Sequence, residues 1–227
     1  MNTSRADWRN TTHDWAGAVD PGHLEGIRRD PAVFAPGGAG HLILEVVAYA
    51  ADEAECNGGG RALVTLHADG SVSVADDGRG TDTRRDERGE LVKKPVMATK
   101  DLRFFDLPEG QTLPEARTLP EARTLPEART LPDGHPRRGM SVVAALSEHL
   151  VHTNRRRNGS WTQRYEHGVP VTGLDPVDDD GSTGTLVRFR PSVPLRAAAG
   201  QAADELTRWA SSWPYLTVEV VDDRREG

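Results

Sequence analysis

Two short runs, Arg61–Leu66 and Ser71–Ala75, alternate apolar and polar residues, with Ala68, Asp69 and Gly70 between them. Alternation with period two describes half-buried strands, and so short a glycine-containing connection makes them an antiparallel hairpin. Just before the hairpin, Gly37, Gly38 and Gly40 precede a stretch with helical spacing from His41 to Cys56. There Leu42, Val46 and Tyr49 form one stripe, with Ile43, Val47, Ala50 and Ala54 beside it. A hairpin next to an apolar helix restricts the architectures open to the chain. A doubly wound fold needs regular strand–helix–strand alternation, and this sequence lacks it.

The rest of the chain keeps to that pattern. His23–Arg29 reads as a short helix introduced by Pro21 and closed by Pro31. Thr81–Leu91 is charged and irregular, and Val92–Phe105 carries at most one helical turn. Gly139 introduces a helix over Met140–Ser147. Strands follow at His149–Arg155, Ser160–Glu166 and Gly184–Arg190, then a helix at Ala197–Trp213 and a strand at Leu216–Val221. In Gly184–Arg190, Thr185, Val187 and Phe189 share one face. Clustered antiparallel strands with helices between them predict an α+β two-layer sandwich, its mixed, mostly antiparallel sheet covered by helices on one face.

The chain has 227 residues, the size of one sizeable domain. A net charge of −7 argues against direct DNA binding, which draws most of its affinity from phosphate neutralisation. A single cysteine, Cys56, excludes an internal disulfide and suits a reducing compartment. Met1–Ala16 has no apolar stretch of signal-peptide length, and no run approaches a membrane span. The expectation is a cytoplasmic protein without membrane contact. Residues 1–20 form a polar arm holding Trp8 and Trp15, which reads as loose or as docking on a partner. The domain proper is 21–227. From Thr112 to Leu131 the hexapeptide Thr-Leu-Pro-Glu-Ala-Arg recurs, and its prolines forbid a continuous helix. That repeat reads as an extended, mobile insert.

Chemistry concentrates where the second strand ends, at Asp76, Asp77, Gly78 and Gly80. Such a strand end can aim an acceptor into a cleft, but the same residues also describe a surface turn. Glu45 lies at the edge of the helix's apolar surface, on the same face as Tyr49. Read from the residues alone, it reaches water or lines a cleft, the solvated placement being the simpler.

Taken together, His23–Phe34 (HLEGIRRDPAVF), His41–Ala54 (HLILEVVAYAADEA), Val64–Gly80 (VTLHADGSVSVADDGRG), Arg137–Leu150 (RRGMSVVAALSEHL), Gln163–Pro170 (QRYEHGVP) and Gly184–Phe189 (GTLVRF) resemble the ATPase domain of the DNA gyrase B subunit. That domain belongs to the GHKL superfamily, and the resemblance spans His23 to Val221. It implies the Bergerat-type sandwich and an ATP or ADP ligand. Glu45 matches the glutamate that activates water for attack on the γ-phosphate. Asp76 matches the acceptor of the adenine amino group, Gly80 the glycine beside the base, and Thr185 the threonine of the adenine water network. Val46, Ala50, Val74, Met140 and Val187 match the apolar base slot, and Arg79 an arginine at its mouth.

Departures from the family pattern cluster on the phosphate side. The magnesium-binding asparagine is replaced by Tyr49, and Ala48 stands for an aspartate. A protonated phenol is a poor magnesium ligand. The glycine-rich lid is reduced to Gly134-His135-Pro136-Arg137-Arg138-Gly139, where Pro136 offers no N–H and two mobile arginines stand in for a backbone cradle. Asp82 replaces a proline beside the slot, and Thr162 stands where a second mouth arginine is expected. The resemblance thus implies a stand-alone, gyrase-B-like module that binds an adenine nucleotide and hydrolyses it weakly or not at all. A complete topoisomerase would also need transducer and DNA-cleavage domains. The alternatives are a working ATPase module of a type II topoisomerase, or a decoy or regulator that binds gyrase inhibitors or gyrase subunits.

Overall fold

The structure, a computed structural model, describes residue 8 and residues 12–105, 130–157, 159–196 and 202–225. Most of the hexapeptide repeat lies outside these residues. Helix α1 (Pro21–Arg29) starts on Asp20, whose side chain accepts the His23 N–H at 3.0 Å, with Pro21 preset for the first turn. A short α2 (Pro31–Phe34) follows, then the long α3 (Gly38–Asn57). Gly58 ends α3 in the left-handed conformation at φ 79°, where its successor's N–H returns to the Ala54 carbonyl.

The expected hairpin forms as β1 (Gly60–Leu66) and β2 (Val72–Asp76). The segment read as irregular contains a small separate hairpin, β3 (Thr83–Arg85) and β4 (Leu91–Lys93). Its strands are three residues each, too short for alternation to reveal. Next come α4 (Met140–Ala145), β5 (Ser147–Arg155), β6 (Trp161–Glu166), β7 (Val169–Pro170), β8 (Asp175–Pro176) and β9 (Gly184–Pro191). The chain continues through α5 (Val193–Arg196), α6 (Ala202–Trp209) and β10 (Leu216–Asp222). The last helix is shorter than the Ala197–Trp213 expected. Residues 197–201 lie outside the description, and Ala210–Ser212 tightens to a 3-10 turn.

The main sheet runs β10-β1-β2-β9-β5-β6-β7, with β8 also paired to β6. All its pairs are antiparallel except β1 with β10, so the sheet is mixed and mostly antiparallel. Helix α3 is buried throughout its first half, Gly38–Ala48, whereas its last turn, Glu55–Asn57, is exposed. It packs on β1, β2 and β10 and against α4 and α6. Leu42, Ile43, Leu44 and Val47 are fully enclosed, and Gly40 lets the Trp209 ring of α6 approach to 3.7 Å from where a Cβ would sit. The α+β sandwich of GHKL type is therefore present. Among the described residues no helix is long and apolar enough to cross a membrane.

The arm is not loose at its tryptophans. Trp8 and Trp15 are buried, their rings meeting edge to face at 5.2 Å, and the Arg84 guanidinium lies 4.4 Å over Trp15. Both indoles thus lie beside Arg84 of the β3–β4 hairpin of their own chain, where the guanidinium meets the ring faces.

Candidate nucleotide site

Helix α3 presents His41, Glu45, Tyr49 and Asp52 at spacings of four, four and three, which sets them in one stripe. Asp76 and Thr185 come from the adjacent strands β2 and β9, and Met140 opens α4. Of the sequence-predicted residues, Asp76 and Thr185 are hydrogen-bonded to each other and Ala50 joins Asp76 in lining one small cavity; the resemblance sorts the set into a base half and a phosphate half.

In the base half, Asp76 closes β2 and accepts the Gly78 N–H on Oδ1 at 2.9 Å and the Thr185 hydroxyl on Oδ2. Burial pushes its carboxyl pKa up, and the donors from Thr185 and Gly78 pull against that. A carboxylate has about four acceptor positions; Gly78 supplies one donor and Thr185 a hydroxyl and a backbone N–H, so about one position remains for a ligand. Val74 and Val187 are direct cross-strand partners, and with Val46, Ala50 and Met140 they are buried in the main core. The cavity beside Asp76 has a volume of about 20 Å³ and is lined by Ala50, Ala54, Gly60, Asp77, Gly78 and Leu216 among others. That is room for about one water, so a purine would have to displace neighbouring groups to enter.

Beyond Gly78, the segment Arg79–Asp82 is fastened by contacts that sequence reading missed. Arg79 pairs with Glu53 through Nε at 2.5 Å and Nη2 at 3.0 Å. Asn154 Oδ1 accepts the Thr81 N–H at 2.6 Å, and Arg156 Nη1 donates to the Gly80 carbonyl at 2.7 Å. An arginine therefore does reach the cleft's rim, from Arg156 at the end of β5. Thr162 instead pairs its hydroxyl with Thr153 at 3.1 Å on the sheet. Gly80 has a structural reason as well: at φ 79°, a Cβ there would stand 2.6 Å from the Arg155 carbonyl oxygen and from Asn154 Oδ1. Gly184, also missed, lies so close to the Asp76 carbonyl that a Cβ would come within 1.9 Å of its oxygen. It lets Thr185 reach Asp76.

On the side where the resemblance places the phosphates, the side chains and backbone already engage one another. Glu45 is 0 % exposed, not solvated, and its two oxygens accept the backbone N–H groups of Arg138 and, at 2.8 Å, Gly139. His41 Nε2 stands 3.5 Å from Glu45, and its Nδ1–H donates to Asp133 at 2.6 Å. Burial alone would depress the imidazole, but the flanking Asp133 and Glu45 outweigh it and raise its pKa to about 9. The helix residue therefore carries charge at neutral pH.

Tyr49, at the expected magnesium position, donates to Asp101 Oδ2 at 2.5 Å. Arg103 binds the same carboxylate through Nε at 3.1 Å and Nη2 at 2.8 Å, and reaches Asp52 at 3.0 Å. Arg137 grips Asp52 bidentately at 2.9 and 2.8 Å and is 4 % exposed, so it is not the mobile side chain expected of the lid. Its guanidinium lies 4.8 Å over both the Tyr49 and Phe104 rings. Burial raises the Asp101 pKa, but Arg103 dominates and holds it well below the usual carboxylate range; Tyr49 goes the other way, pushed up by burial and by Asp101. Magnesium needs several unencumbered oxygens. Here the phenol donates its proton to Asp101 and Asp52 is held by two guanidinium groups, so these residues do not fit the metal.

No protein-family model matches the chain. It is 27 % identical over 212 residues to the B subunit of DNA topoisomerase 4 from Bacillus subtilis, covering 89 % of this chain and 30 % of that protein. It is 31 % identical over 200 residues to the chloroplastic/mitochondrial DNA gyrase B subunit of Nicotiana benthamiana (83 % and 25 %). It is also 31 % identical over 209 residues to the DNA gyrase B subunit of Mycolicibacterium smegmatis (88 % and 28 %). The chain thus spans less than a third of the length of these relatives. In sequence over most of its length, and in its mixed sandwich of GHKL type, the chain is a gyrase-B-like domain.

Proposed function

We propose that this domain binds the adenine moiety of a ligand at Asp76 and Thr185, and that it does not hydrolyse ATP while Glu45 is held as described. The observation that carries the reading is the Asp76–Thr185 pair, set at the ends of neighbouring strands with acceptor capacity left over. A hydrogen bond to a charged group contributes about 1.5–3 kcal/mol, roughly ten- to hundredfold in affinity.

Against turnover stands Glu45. A general base needs an accessible lone pair aimed at the attacking water, and both oxygens here are turned to backbone donors. Titration calorimetry with ATP, with and without magnesium, tests the reading. The expected result is metal-insensitive binding that Asp76→Ala abolishes, and no phosphate release. Release that requires magnesium and disappears in Glu45→Gln would overturn the non-hydrolytic half.

A further inference from the structure

We infer that the ligand of this cleft is an uncharged purine nucleoside of the adenosine class rather than a nucleoside polyphosphate. The inference rests on the adenine reading above and adds what the ligand lacks.

Backbone N–H groups where a loop enters a helix suit an anion. At Arg138 and Gly139 that anion is already supplied from within the chain, because the Glu45 carboxylate takes both N–H groups. A phosphate arriving there would have to displace a buried carboxylate, which is itself coupled to the charged His41 and through it to Asp133. The displaced Glu45 would then sit beside the phosphate, like charge against like charge.

The neighbouring space is closed by a set of groups whose charges balance one another. Arg103 and Arg137 carry two positive charges, Asp52 and Asp101 two negative ones, and every one of the four is paired. Tyr49 and Phe104 fill the volume between them. The fit is tight: a Cβ on Gly139 would lie 3.2 Å from the Tyr49 hydroxyl and 3.2 Å from the Asp101 Cβ. A triphosphate carries three to four negative charges, and this neutral cluster has no cation left to meet them. Nearer the rim, Arg79 is engaged by Glu53, and Arg156 by the Gly80 carbonyl with Asp82 3.7 Å away. Among the described residues Arg138 has no carboxylate partner. Its partly exposed guanidinium lies 6.0 Å over Phe34, and a single exposed charge of that kind adds little. The base-recognition residues thus keep acceptor capacity while the phosphate-facing charges are balanced internally, with Arg137 Nε and His41 Nε2 as buried donors that have no hydrogen-bond partner among the described residues; the charge balance favours a ligand without phosphates.

Competition between adenosine and ATP on the unmodified chain decides it. Calorimetric titrations with adenosine, AMP, ADP and ATP are run with and without magnesium. Adenosine is expected to bind at least as tightly as ATP, with affinity falling or level as phosphates are added. ATP binding more than about tenfold tighter than adenosine, about 1.4 kcal/mol, would overturn the inference while leaving the adenine reading intact. If neither binds, the adenine reading itself fails. Asp76→Asn, which keeps the side chain's size, is expected to weaken adenosine and ATP alike.

Discussion

His41 Nδ1 and Asp133 Oδ2 lie 2.6 Å apart, and the imidazole they share with Glu45 is enclosed completely. A buried imidazolium between two carboxylates ties helix α3 to the turn that precedes α4.

This pairing predicts an alkaline limit to stability. In the fold His41 keeps its proton up to about pH 9, whereas an unfolded imidazole loses it near 6.5. Its contribution, on the order of 3 kcal/mol, is complete below pH 6.5 and lost as the pH climbs through 9. Asp133 has a lowered carboxyl pKa, so its own contribution is lost only on strong acidification. Thermal denaturation followed by circular dichroism should show the melting temperature falling between pH 7 and 10. In Asp133→Asn the fall should be shallower; equal slopes would mean that His41 is neutral.

A second limit lies on the acid side. Burial depresses His13 and His152 to about 3 and His23 to about 4. These side chains are neutral in the fold, while the unfolded chain takes up their protons below about 6.5. Stability is therefore lost as pH falls from 6.5, at up to about 1.4 kcal/mol per pH unit for each group. Urea midpoints at pH 7 and 5 measure this, and His152→Phe should reduce the difference.

Gly184→Ala should be among the most damaging single substitutions. The added methyl would meet the Asp76 carbonyl at 1.9 Å, at a backbone φ of 129° that other residues avoid. Relief requires β9 to part from β2, so a loss of about 4 kcal/mol or more is expected. Gly181→Ala has open space around it at φ 78°, and should cost only about 1–2 kcal/mol of backbone strain. Chemical denaturation of the two variants separates steric contact from strain.

Arg137→Ala leaves Asp52 with Arg103 alone and removes a cation from between two rings. Breaking a buried pair costs about 3–5 kcal/mol. Partial solvent access at Asp52 places the expected loss near the lower end, about 3 kcal/mol. The double variant with Asp52→Ala should cost less than the sum of the two singles, which a double-mutant cycle reads directly.

Much of this was legible in sequence wherever the signal is local. The β1–β2 hairpin and α3 follow from alternation and helical spacing, and Asp76 from its place at a strand end. Sequence reading does not single out His41, although it lies one turn before Glu45, because its role depends on Asp133, a partner far along the chain. What sequence could not give is long-range pairing between short polar side chains. Asp101, Asp133, Asn154 and Arg156 stand in loops or at strand ends, where no periodicity marks the direction of a side chain. Glu45 shows the limit most clearly: its helical position leaves open whether it faces water or the core, and only the arrival of Arg138 and Gly139 decides.

The parallel partnership of β10 with β1 joins Gly60 to Leu216 and Leu66 to Asp222. During synthesis, β1 cannot acquire that neighbour until the distant strand has left the ribosome. Until then its flank is an open edge of the kind that recruits other chains, and distant pairings form slowly. Nascent chains interrupted before Leu216 should therefore be chaperone clients and prone to aggregate, even with Glu45, Asp76 and Thr185 already synthesised.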